Sequence, residues 1–311
     1  MFQVKRVIIG VEMPAERPWD ASRLKSPSLL AVREGCRLAD GGRISVTLAS
    51  VLPKQSPGWF GSPGDAARQS GQDRIAAENV LDQLRQQHAA PESSPQQFSC
   101  VVRTGDAWEE LIRLGGNRPD SLIVCGTRDL GSLRRVLFGS TGLKLLRLAP
   151  GPVWIVKPTP TENDTIDIVA CTDLGPVGAD VIQTAISMAA VNSGRVHVVH
   201  AAEPGADTTA LTDRVLAQLA ATDYRTLQAG VKVTVSVGDA DQCILDCVKQ
   251  CQADLVILGT SSKTGTSGLL PGSTVERLLP ELKCSVLALK PEGFHSVLPP
   301  EFWTMQRVNE A

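Results

Sequence analysis

The stretch GTSSKTGTSGLLPGSTVERLL, Gly259 to Leu279, lies between an apolar run, ADLVIL, and a segment that ends as a helix. A looser copy, GTRDLGSLRRVLFGSTGLKLL, occupies Gly126 to Leu146. The match continues outward from both loops. RLAPGPVWIVKP (Arg147 to Pro158) corresponds to LLPELKCSVLALKP (Leu278 to Pro291), each a helix end, a turn, a β-rich run and then Lys-Pro. DSLIVCGT corresponds to ADLVILGT, and SCVVRTGDAWEELIRL to VTVSVGDADQCILDCV, with Gly105-Asp106 set against Gly238-Asp239. RISVTLASVLP corresponds to RVHVVHAAEP, and VKRVIIGVEMP to TIDIVACTDLG. The correspondence lapses only at TPTEND, Thr159 to Asp164. Self-similarity on this scale means a duplicated unit. The expected division is a first domain at 1–158, a linker at 159–165, a second domain at 166–291 and a tail at 292–311.

Periodicity reads alike in both copies. The first strand is expected at Arg6 to Glu12 and at Ile166 to Asp173, followed by a helix at Ser26 to Asp40 and at Val177 to Asn192. A second strand is expected at Ile44 to Val51 and Val196 to Ala201, and a second helix at Asp73 to His88 and Thr208 to Ala229. The third strand falls at Phe98 to Arg103 and Lys232 to Val237, before a helix that opens at Gly-Asp, where the Asp can cap it. The fourth strand ends at Gly126 or Gly259; the loop, a last helix and a fifth strand follow. Short aliphatic strands alternating with helices imply an α/β fold, with a parallel sheet covered on both faces. PKQSPGWFGSPGDAARQSGQD, Pro53 to Asp73, is an extra loop of the first copy, read as a surface excursion, with a lid as the alternative.

Composition narrows the function classes. Formal charge is −2 and no block of Lys and Arg stands out, so no nucleic-acid footprint is visible. No apolar run approaches the roughly 20 residues that span a bilayer. The N-terminal apolar run, Val7 to Val11, meets Glu12 and is too short for a secretory signal. A cytoplasmic address is expected, with the eight cysteines as thiols.

The quoted loop follows a strand, and ligands of open α/β sheets sit beyond the carboxyl ends of strands. Gly272-Ser273-Thr274 opens a helix whose first N–H groups lack intrahelical partners, so a phosphate could be cradled there. Gly139-Ser140-Thr141 repeats the arrangement. Plain N-capping by Ser or Thr explains the same residues without a ligand. GTSSKTGTS misplaces its Lys for a Walker P-loop, and neither copy carries G-x-G-x-x-G after its first strand.

With an acidic residue at the end of strand one and G-x2-G-x9-G-[ST] after strand four, the chain resembles the universal stress protein family, in its tandem-domain form, over Lys5 to Pro291. The resemblance implies two doubly wound five-stranded parallel-sheet domains, pseudo-twofold related, that pair through their fifth strands at Val153 to Val156 and Val286 to Leu289. It also implies a stress-response or regulatory protein, with homodimers among its assemblies. In ATP-binding members adenine lies near the strand-one acid and phosphates lie in the Gly loop. Carried over, the second-copy positions are Asp173, Gly259, Ser262, Gly265, Gly272, Ser273 and Thr274, and the first-copy positions are Glu12, Gly126, Gly139 and Ser140. Both copies depart at the middle glycine, which is Ser262 in one and Asp129 in the other. An added hydroxyl is the milder change, because Asp129 sets a carboxylate against the phosphates. The second copy is therefore the expected site for ATP with Mg²⁺. Two alternatives stand beside it: an interaction scaffold with degenerate ligand loops, and a slow ATP hydrolase.

Cys243, Cys247 and Cys251 form a helical stripe read as thiols facing the sheet. His197 and His200 are expected to share one face of strand two. Phe294, Leu298, Phe302 and Trp303 of the tail are expected to dock on the body.

Overall fold

Every strand of the first copy is short and largely aliphatic, so the sheet needs cover on both faces. The computed structural model describes residues 4–38, 44–54, 63–89, 97–127, 140–158, 165–260 and 274–304. The first half runs β1 (Arg6–Gly10), α1 (Ser26–Leu38), β2 (Ser45–Leu52), α2 (Pro63–His88), β3 (Phe98–Thr104), α3 (Ala107–Gly115), β4 (Ser121–Gly126), α4 (Ser140–Leu148) and β5 (Val153–Val156). The second runs β6 (Asp167–Cys171), α5 (Pro176–Val191), β7 (Arg195–Ala202), α6 (Thr208–Ala220), β8 (Val231–Val237), α7 (Ala240–Cys251), β9 (Leu255–Gly259), α8 (Thr274–Leu278) and β10 (Ser285–Leu289). A short helix, α9 (Pro300–Thr304), closes the described chain. None of the described helices is long and apolar enough to cross a membrane.

All these strands lie in one sheet, ordered β3-β2-β1-β4-β5-β10-β9-β6-β7-β8. Each half is parallel within itself, and β5 meets β10 antiparallel, with Val153 opposite Ala288, Trp154 opposite Leu287 and Ile155 opposite Val286. The fifth-strand pairing expected from the sequence is therefore present within one chain. Alternate residues of these two strands feed opposite faces. Trp154, Val156, Leu287 and Leu289 join a buried cluster under α1, α2, α5 and α6. Val153, Ile155, Val286 and Ala288 join the cluster under α3, α4, α7 and α8. Both apolar layers cross the seam without a break.

Charged groups finish the junction. The Lys-Pro pair that ends each copy places a lysine just past β5 and β10. Lys157, 4% exposed, donates to the carbonyls of Leu279 (3.3 Å) and Leu282 in the turn that follows α8. Lys290, 8% exposed, donates to the Leu146 carbonyl in the last turn of α4. Each lysine thus caps the final helix of the other half, where carbonyls are unpaired and the helix dipole favours a cation. Arg147 adds a forked pair with Glu276, Nη2 to Oε2 at 2.7 Å.

Four local expectations change. The helix read from Asp73 begins at Pro63, so the second part of the supposed Pro53 to Asp73 loop is helical; residues 55–62 lie outside the described residues. The helix read as Thr208 to Ala229 ends at Ala220. Asp106 and Asp239 hold the N-cap positions of α3 and α7 but make no side-chain cap bond. The glycines before them matter more, with φ of 153° at Gly105 and 142° at Gly238, a region closed to residues with a Cβ. His197 and His200 are three apart on a strand, so they face opposite sides; His197 Nε2 meets Asp167 Oδ1 at 2.8 Å and His200 Nδ1 meets the Thr172 carbonyl at 2.9 Å.

Burial pushes the Lys290 ammonium down to about 7 and that of Lys157 to about 8. Between pH 7 and 10 the unfolded chain then binds more protons than the folded one, so both lysines make stability rise with pH across that window. Below pH 7 Lys290 is protonated in both states and its contribution to the slope disappears. Lys290→Met is expected to flatten the rise in midpoint temperature between pH 7 and 10, measured by thermal unfolding. A variant with the wild-type slope would contradict the assignment.

Candidate functional site

The carboxyl ends of β1 and β4 point the same way, and their chains leave toward opposite faces of the sheet. A crevice must open there. In the first half it is a cavity of about 670 Å³, within the usual range for small-molecule sites. Its floor is the strand ends: Gly10 to Met13, Ala49, Leu52, Cys125, Gly126 and Thr127. Burial pushes the Cys125 thiol up to about 12, so it lines the floor as an uncharged group.

One wall is the β1–α1 segment. Arg17 pairs with Asp73 of α2 and lies over the Trp19 ring at 5.4 Å. Gln69 donates to Asp73 Oδ1 at 3.1 Å, so the salt bridge is fixed from the helix side. The opposite wall is Trp108 in the first turn of α3, with Lys144 Nζ 4.8 Å from its ring centre. Ser140, Thr141 and Gly142 bring the first turn of α4 to the rim. The indole N–H groups of Trp19 and Trp108 are buried and have no hydrogen-bond partner among the described residues. Unpaired buried donors are costly, so both indoles carry an unmet hydrogen bond beside the cavity.

The carried-over residues separate into three groups. Glu12, Gly126 and Ser140 line this cavity together. Glu12 also donates its backbone N–H to Ser28 Oγ at 3.3 Å. Gly139, Ser262, Gly265, Gly272 and Ser273 lie outside the described residues. In the second half Thr274 begins α8, Gly259 ends β9, and Asp173 lies past β6. Asp173 Oδ1 accepts from the Gly175 N–H at 2.9 Å, a turn that launches α5. Thr172 Oγ1 accepts from Leu174 N–H (3.0 Å) and donates to Gln218 (2.9 Å), whose amide donates to the Gly175 carbonyl (3.2 Å). This network holds Leu174 at φ 63°, a conformation that costs a non-glycine residue on the order of 1 kcal/mol or more.

Gly126 and Gly259 serve packing, and neither has a positive φ. A Cβ on Gly126 would stand 2.5 Å from the carbonyl carbon and oxygen of Pro27 in α1. A Cβ on Gly259 would overlap the Cγ1 methyl of Val177 in α5. Each glycine lets the first helix of its half lie against the end of the fourth strand.

The two copies differ at the matched positions that form this wall. Where the first has Trp108 and Lys144, the second has Asp241 and Arg277. These form a salt bridge, Nη2 to Oδ1 at 3.1 Å, at a cleft of about 350 Å³ with Asp239 and Glu281 on its rim. The aromatic wall is therefore a property of the first copy. Sequence reasoning missed Arg17, Trp19, Asp73, Trp108 and Lys144. A signal existed for the tryptophans: aromatics are only 4% of the chain, yet two of five Trp stand just past strands of one copy and lack aromatic counterparts in the other.

The description "Universal stress protein family" fits the chain twice, at residues 24–157 and 167–290. The chain belongs to the universal stress protein family. Among curated members, Universal stress protein E homolog of Haemophilus influenzae is 29% identical over 242 residues, covering 70% of this chain and 75% of its own. A universal stress protein of Mycolicibacterium smegmatis is 24% identical over 298 residues, covering 92% and 97%. The solved universal stress protein from Archaeoglobus fulgidus DSM 4304 superposes with a TM-score of 0.67 at 18% identity, covering 93% of this chain and 99% of that one, which shows the shared fold. The doubled α/β unit supplies the scaffold on which the walls of the crevice are built.

Packing at the two glycines can be tested separately. Gly126→Ala and Gly259→Ala should each lower stability by roughly 1–3 kcal/mol in denaturant unfolding. Val177→Ala should recover part of the loss in Gly259→Ala, since a methyl group is the obstacle there. In Gly126→Ala the obstacle is main chain, and side-chain truncation in α1 should recover nothing.

Proposed function

We propose that this protein is a stress-response binding protein whose first-half cavity takes an adenine nucleotide, with the copies divided at 159–165 and Mg²⁺ entering with the phosphates. The observation that carries this reading is the pairing of Trp108 and Lys144 at the rim where α4 begins. A planar base and an anionic chain need those two chemistries side by side. Trp19 and Trp108 supply apolar ring surface for the base. Lys144 and the first turn of α4 supply positive charge and helix N-terminal amides for phosphate. Glu12 occupies the strand-one end of the same space. Mg²⁺ is typically held by one or two carboxylates together with the nucleotide's phosphates, and Asp106 is the lining carboxylate without a cap bond.

The second-copy loop, with Ser262 and Gly272, remains the competing location, and its residues lie outside the described ones. Titration calorimetry with Mg·ATP distinguishes the two. Lys144→Met should weaken binding about tenfold or more, as expected for loss of a charge-assisted contact, and Gly272→Val should leave it unchanged. The reverse pattern would move the site to the second copy. Absence of saturable heat would favour a scaffold that works through protein contacts. Steady phosphate release in the same samples would make the protein a slow hydrolase.

A further inference from the structure

We propose that the C-terminal segment of the second half regulates the first-half cavity, with Phe302 bearing on Trp108 from behind. This rests on the reading of that cavity as the ligand site. The connection is a run of direct contacts. Trp108 has one neighbour on the cavity side, Lys144 Nζ at 4.8 Å, and another on the tail side, Phe302, stacked at 6.2 Å with planes 11° apart. Phe302 is only 8% exposed and is gripped further by Trp303, edge-on at 5.0 Å, and by the Arg113 guanidinium at 4.4 Å. Arg113 belongs to α3, the helix that carries Trp108.

The same segment also holds the far end of α4. Ser296 Oγ donates to the Leu148 carbonyl at 2.6 Å, and its hydroxyl accepts from Leu298 N–H at 3.3 Å. Lys290, which caps α4 at Leu146, lies 4.6 Å from the Phe294 ring. Residues 290–303 therefore touch both helices whose first turns form the cavity rim, α3 through Trp108 and α4 through its last turn. Among the described residues no other element of the second half does so through an aromatic stack. In the first copy the chain after Lys157 continues into the second, so the device belongs to one copy only.

A contact that orders both helices will be strengthened by a ligand that orders them too, and the coupling must act equally in both directions. Calorimetry with Mg·ATP on the full chain and on Phe302→Ala, with Phe302→Leu as the milder variant, reads one direction. Hydrogen exchange of residues 294–304 with and without Mg·ATP reads the other. Binding is expected to weaken about fivefold or more in variants that still unfold cooperatively, and Mg·ATP is expected to slow exchange in 294–304. Wild-type affinity in both variants, with unchanged exchange in 294–304, overturns the inference and leaves the nucleotide reading standing. If the wild type itself binds no Mg·ATP, the nucleotide reading falls, and ligand-free exchange in residues 140–144 decides the coupling. Faster exchange there in Phe302→Leu supports it, and identical exchange overturns it.

Discussion

Three residue pairs, Val153 with Ala288, Trp154 with Leu287 and Ile155 with Val286, join strands that run in opposite directions. That reversal gives the two halves their twofold relation. A five-stranded parallel sheet ending at β5 would leave a row of unpaired amides and carbonyls next to apolar side chains, a template for unwanted association. Pairing with β10 removes that edge from both halves at once. The edges that remain, β3 and β8, lie at the far ends. Lys157 and Lys290 then lock the arrangement by reaching across the seam into helix C-termini. Their buried, depressed ammonium groups make the junction sensitive to protonation near neutral pH.

Within this symmetric frame the two copies have taken different chemistry. The first opens its crevice with a longer β1–α1 segment and a helix that starts at Pro63, and lines it with indoles and a lysine. The second carries the Arg277–Asp241 pair at the matching positions and a short turn built by Thr172, Asp173 and Gly175. Duplication permits such divergence. Once the seam holds both sheets, either crevice can change its walls without altering the strand order. The tail carries the asymmetry further, because only the second copy has chain left over to lie against its neighbour.

The thiol stripe and the histidines show how the same scaffold absorbs reactive side chains. Cys243 and Cys247 are buried on the sheet-facing side of α7 and Cys251 is half-buried, as the sequence spacing implies. Cys171, at the end of β6, is pushed up by burial, with Cys247 and Cys284 nearby. His197 packs against Asp167 and His200 against main chain. Among the described residues no group of three or more His, Cys, Asp or Glu is arranged to hold a metal ion.

The amino-acid sequence by itself determined the duplication, the alternation of strands and helices and the parallel halves, while the strands that pair between them came from the family resemblance. The first three follow from local periodicity and from self-similarity, which survive in one dimension. It also marked Glu12, Gly126 and Ser140, which do converge on one cavity. Only the tertiary structure decided why Gly126 and Gly259 are glycines, since Pro27 and Val177 are distant in the chain and meet them only after the helices fold back. It alone brought Trp19, Asp73, Trp108 and Lys144 together from four separate elements, and set Phe302 behind Trp108 from the other end of the chain. Contacts between residues so far apart depend on how the layers stack, and no spacing within a single segment encodes that.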